Sequence, residues 1–186
     1  RGVHRVDDRG RWRMKTAWVG LALAVALAVQ TTVAPLFAGI GVTVDLVLVL
    51  VVLVAISSGP VGGLWAGTVG GLLQDALSGG VIGVGGLTKT LLGYAVGAFA
   101  VQFDVSRPWY QALVVFFASL VHAACFVGLY GLLSDDRTVT SYGGVLTQAA
   151  ANTAVAAGVA MALSAAPEVL MRRRLRRRRL TRRFGG

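Results

Sequence analysis

Between Thr16 and Pro167 the chain carries only three basic residues, Lys89, Arg107 and Arg137, and five acidic ones, Asp45, Asp75, Asp104, Asp135 and Asp136. A water-soluble domain of that length needs a far more charged surface, so the interval is suited to lipid. Six apolar runs divide it, at about 17–38, 41–57, 60–77, 81–101, 109–133 and 145–166. Each is near the roughly 20 residues a helix needs to cross the hydrocarbon of a bilayer. The fold class expected is an all-α integral membrane protein with six transmembrane helices. The second and third runs are short, and only Ser57, Ser58, Gly59 and Pro60 separate them, a turn-forming cluster that favours a tight hairpin.

The net charge of +10 is a property of the ends. Fifteen of the eighteen Lys and Arg residues lie outside the apolar interval. This divides the chain into a basic segment at 1–16, a transmembrane domain at 17–166 and an arginine-rich tail at 167–186. The tail holds Arg172, Arg173, Arg174, Arg176, Arg177, Arg178 and Arg179 directly after an apolar run, an arrangement suited to anionic lipid headgroups. No aromatic pattern or motif of an RNA- or DNA-binding module accompanies it, so nucleic acid is not expected as a partner. Cytoplasmic flanks of membrane spans carry the Lys and Arg excess, and an even number of spans returns the chain to its starting side. Both termini are therefore expected in the cytoplasm, with the protein in the plasma membrane. The first run follows basic residues as a signal peptide would, but it exceeds the usual apolar core of about 7–15 residues and further spans follow, so an uncleaved anchor is expected.

Gly59, Gly63, Gly67 and Gly71 recur every four residues and end at Asp75, and Gly93 and Gly97 repeat the spacing in the fourth run. Helices with such smooth faces approach closely, which in a bilayer replaces the hydrophobic drive available in water. The row serves either internal packing or a partner helix. In the six-span topology Asp45, Asp75 and Lys89 all fall in the outer half, Lys89 about eight residues or 12 Å into the fourth run. A lysine at that depth is costly unless it snorkels or pairs, so an ion-paired cluster of Asp45, Asp75 and Lys89 is expected, as a polar staple or as a functional site.

Other polar residues suggest assembly rather than chemistry. Ser119 and His122 stand three apart on the fifth run, but no orienting third group or oxyanion site accompanies them. Gln30, Gln148 and Asn152 read as hydrogen-bonding links between helices. Cys125 is the one cysteine and cannot form an internal disulfide, and no cluster has metal-ligand spacing. Neither a catalytic residue nor a cofactor is expected.

The stretch from Asp45 to Gly97 resembles the rod shape-determining protein MreD family. The matching features are Asp45-Leu46, Gly59-Pro60, the glycine row, Leu72-Leu73-Gln74-Asp75, Ser78-Gly79, Gly83, and Gly93-Tyr94 with Gly97. The resemblance covers less than a third of the chain, and the arginine-rich tail is no part of it. It implies a non-enzymatic membrane subunit of the rod complex, which builds side-wall peptidoglycan. The implied partners are the bitopic protein MreC and, through the complex, RodA, a penicillin-binding transpeptidase and the filament protein MreB. It also implies a six-helix fold like that of the substrate-binding subunits of energy-coupling-factor vitamin transporters. That kinship supplies the alternative, a transporter subunit with Asp45, Asp75 and Lys89 in its ligand pocket.

Overall fold

The structure is a computed structural model; it describes residues 17–32, 43–79, 82–133 and 143–162. These residues form five helices: α1 (Ala17–Thr32), α2 (Leu46–Ser78), α3 (Val84–Gln102), α4 (Pro108–Leu133) and α5 (Gly143–Ala162). No strand occurs among the described residues. Helices α2 to α5 are four candidate membrane spans by length and composition, and α1 is a shorter apolar helix. Four candidates stand where six were expected for two reasons. The second and third runs share α2, and the first run is described only to Thr32. The basic segment 1–16 and the arginine-rich tail 167–186 lie outside the described residues.

Helix α2 is not one straight rod. Gly59 interrupts it with φ +76° and ψ −171°, a backbone conformation open essentially to glycine alone, and Pro60 then starts the next helical turn without needing an amide donor. A methyl carbon built on Gly63 would stand 2.6 Å from Ala55 Cβ, and one built on Gly70 would stand 2.9 Å from Val47 Cγ1. Along a straight helix those pairs would be about 12 Å and 35 Å apart at 1.5 Å per residue. The chain therefore doubles back at Gly59 into two antiparallel arms. The first, 46–58, rises about 20 Å and the second, 60–78, about 28 Å, so the first is shorter than the roughly 30 Å hydrocarbon core.

The first arm is central. Val47, Leu48, Val49, Val51, Val52, Val54 and Ala55 are all buried, the pattern of a helix surrounded by others. One side packs with Leu23 and Leu27 of α1 and Ala66 of the second arm. The other packs with Leu92 and Val96 of α3, Val115 and Ala118 of α4, and Ala156 of α5. The second arm instead exposes Val61, Trp65, Val69, Leu73 and Leu77, one residue per turn along a single face, as expected of a surface turned to lipid.

The glycine row of the second arm lies on α3. A methyl carbon on Gly67 would fall 2.6 Å from the carbonyl carbon of Lys89, one on Gly71 would fall 2.6 Å from Gly86 Cα, and one on Gly97 would fall 2.5 Å from Pro60 Cα. Gly63 meets the backbone of Gly93 in the same way. These contacts share one antiparallel register, and Thr68 and Thr90 hydrogen-bond across it at 2.8 Å. The two small-residue rows therefore serve each other, and the described row is occupied from within the chain.

Residues 103–107 connect α3 to α4 near the Gly59 turn. Asp104 accepts hydrogen bonds from the Ser106 hydroxyl and from the Ser106 backbone N–H at 3.1 Å. The hydroxyl bond first, then the amide, holds this exposed carboxyl below its usual range.

Candidate functional site

At the end of the bundle away from the Gly59 turn, the start of α2 collects polar groups from every other helix. The first amides of a helix lack intrahelical partners. Asp45 caps α2, its Oδ1 accepting from the Leu48 N–H at 2.9 Å. Gln30 of α1 presents its Oε1 to the N–H groups of Leu46 at 3.0 Å and Val47 at 3.4 Å. The Asp45 backbone N–H donates to Asn152 Oδ1 of α5 at 2.8 Å, and Asn152 Nδ2 donates to Ser119 Oγ of α4 at 3.0 Å. Asn152 is completely buried, so each of these bonds replaces water that it cannot reach.

Lys89 of α3 completes the network. Its Nζ stands 2.8 Å from Asp45 Oδ2 and 3.2 Å from His122 Nε2 of α4, with Lys89 and Asp45 only 2% and 4% exposed. An ammonium donates and never accepts. His122 therefore accepts at Nε2, which puts the single proton of a neutral imidazole on Nδ1. Lys89 lies five residues past Val84, about 7.5 Å into α3, shallower than the 12 Å read from the longer apolar run. The close approach at Gly67 brings its backbone against the second arm and lets its side chain reach the first.

Asp75 does not join Lys89. Its Oδ2 accepts from the N–H groups of Gly83 at 2.8 Å and Gly86 at 3.0 Å, capping α3, whose own N-cap residue Gly83 has no side chain to offer. The expected three-residue cluster is thus two separate arrangements, an Asp45–Lys89 ion pair and an Asp75 cap. Each carboxylate sits at a helix N-terminus, where the peptide dipoles favour negative charge. Beside Asp75, Gln74 Oε1 is buried without a hydrogen-bond partner among the described residues.

Two buried ions gain little net stability from pairing, because desolvation offsets much of their attraction, but removing one partner leaves the other stranded. A helix arrangement that separates Asp45 from Lys89 would strand a buried charge. Ser119 bonds to Asn152 and His122 to Lys89, so the pair three residues apart on α4 does not form a nucleophile with its base. Among the described residues no group of three or more His, Cys, Asp or Glu could hold a metal.

A model of the rod shape-determining protein MreD family matches residues 12–157, most of the 186-residue chain. The chain belongs to the MreD family. The match extends well beyond the Asp45 to Gly97 stretch and takes in all of the network, from Gln30 to Asn152. Membership in the MreD family carries a role in determining rod shape, and the apolar helices suit a protein of the membrane. No curated protein and no solved structure matches the chain.

Within this MreD-family chain, sequence reasoning singled out Asp45, Lys89, Ser119, His122, Gln30 and Asn152 without linking His122 to Lys89. The available signal was a second ionisable group in an apolar run, at a depth similar to that of the lysine. A concavity lies elsewhere, a cleft of about 520 Å³ between Ile56 and Ser57 at the hairpin turn, residues 100–106, and Gln111.

Proposed function

We propose that the chain is a non-enzymatic membrane scaffold of the rod complex, binding an MreC-like bitopic protein and supporting side-wall peptidoglycan synthesis. The observation that carries this reading is the use of the buried polar side chains. Gln30, Asp45, Lys89, Ser119, His122 and Asn152 bond to one another or to helix ends, so they join five helices rather than line a reaction site. Six passes follow if α1 and each arm of α2 count as one. The helices then alternate in direction, and the arginine excess of the two ends assigns both to the cytoplasm. On this reading the basic tail rests on anionic lipid, and RodA, a penicillin-binding transpeptidase and MreB are reached through the complex.

The transporter-like alternative needs a ligand pocket at Asp45, Asp75 and Lys89. Asp45 and Lys89 are instead closed upon each other, and Asp75 is bonded to the amides that start α3. Affinity purification from native membranes separates the two readings. The scaffold is expected to bring down a single-span partner in stoichiometric amount. A chain that instead retained a small ligand and associated ATPases, with no such partner, would overturn the proposal.

A further inference from the structure

We propose that the Lys89–His122 contact is a proton-sensitive latch between α3 and α4, closed while the imidazole is neutral and opened when it gains a second proton. The basis is the direction of one hydrogen bond. Lys89 Nζ can only donate, and it stands 3.2 Å from Nε2, the ring atom that must be bare to receive it. A proton arriving at Nε2 turns the acceptor into a donor and places two cations in contact at a buried site. Like charges so close in a poorly screened interior repel strongly.

The surrounding groups do not supply a ready escape. From α3 the ring faces Lys89, and from the two arms of α2 it is acted on by the charges of Asp45 and Asp75. Asp45 Oδ2 is already held by Lys89 at 2.8 Å, and Asp75 Oδ2 by the Gly83 and Gly86 amides. On its own helix the ring stacks against Phe126, with centroids 5.9 Å apart. From α5 the neighbouring network member is the neutral Asn152, bonded to Ser119, and α1 contributes the neutral Gln30. The protonated ring must therefore compete with Lys89 for Asp45 or move away from it. Either outcome shifts α4 against α3 and loosens the capped start of α2.

The latch stands on the contact itself. On the proposed topology the latch lies in the outer half of the membrane and takes its proton from the cell exterior; with the opposite orientation the same latch takes its proton from the other side.

The test uses the full chain in lipid nanodiscs, with His4→Asn leaving His122 as the one remaining histidine. Nitrogen NMR of isotopically labelled histidine is expected to show a bare Nε2 and a protonated Nδ1 at neutral pH, with Nε2 gaining its proton on acidification. Spin labels at Leu91→Cys and Phe117→Cys, two exposed sites on α3 and α4, with Cys125→Ser in the same chain, report the interhelix distance. That distance is expected to lengthen over the pH interval in which the nitrogen spectrum shows Nε2 gaining its proton, the titration being carried down from about 8 until that step is complete. In His122→Gln, whose amide oxygen can still accept from Lys89, it should stay constant. A doubly protonated ring at neutral pH, a pH-independent distance in the parent chain, or the same pH response in His122→Gln would each overturn the latch. Should His122→Gln fail to fold, the ring tautomer and the parent-chain distances still decide.

Discussion

Substituting alanine for Gly67 tests the packing that brings Lys89 to Asp45. The added methyl carbon would lie 2.6 Å from the Lys89 carbonyl carbon and 2.8 Å from the Thr90 nitrogen. Non-bonded carbons settle at about 3.5–4.0 Å, so the second arm of α2 and α3 must part by roughly 1 Å. Both obstructing atoms are backbone and cannot rotate aside, which puts the overpacking cost near the upper end of its usual range, about 3 kcal/mol. Alanine returns about 1 kcal/mol through its better helix propensity. The net loss is about 2 kcal/mol, close to a thirtyfold fall in the folded-to-unfolded ratio. Gly20→Ala and Gly158→Ala are the controls, because a methyl carbon at either meets nothing within 4 Å. They are expected to be neutral or to gain up to about 1 kcal/mol. Reversible unfolding by denaturing detergent in mixed micelles, followed by circular dichroism, compares the three. A Gly67→Ala chain as stable as the Gly20→Ala chain would refute the close backbone contact.

Four further outcomes follow from the same geometry. Lys89→Met should cost about 3–5 kcal/mol by stranding Asp45, and adding Asp45→Asn, which keeps an acceptor for the Leu48 N–H, should restore part of it; equal losses in the single and double variants would dismiss the coupling. Asp75→Ala should cost about 0.5–2 kcal/mol, as losing a helix cap does, and accelerate amide exchange at Gly83 and Gly86, whereas unchanged exchange there would remove the cap. Gly59→Ala should lose about 1–3 kcal/mol by straining the hairpin turn, a prediction contradicted by an unaltered thermal midpoint. Asp104 should titrate below the usual carboxylate range. Its contribution is present above that range and is lost as the pH falls through the lowered value; carbon NMR should find that Ser106→Ala moves the titration part of the way back, the backbone amide still donating.

Several features could be read without coordinates because they depend on local chemistry. Gly59-Pro60 between two short apolar runs marked a hairpin, since one residue permits the turn and the other cannot donate into a continuing helix. The four-residue glycine spacing marked a face for close approach, since that spacing keeps side chains on one side of any helix. The partner of that face was not legible, because the same smooth surface would accept a helix from this chain or from another. Likewise, a lysine in an apolar run announced the need for a carboxylate without saying which one.

Asp75 is much nearer to Lys89 along the chain than Asp45 is, yet Asp45 makes the pair. The antiparallel register that sets Gly67 on Lys89 and Gly71 on Gly86 carries Asp75, one turn further on, to the very start of α3, where it meets unpaired amides. The fold at Gly59 meanwhile returns the first arm beside α3, so that its capping residue faces the ammonium. Residence in lipid, the helical runs and their small-residue faces are written into each segment, because desolvation and steric limits act on it alone. The meeting of Asp45, Lys89 and His122 came from packing, because partner choice depends on the rotation and register of helices that no single segment specifies.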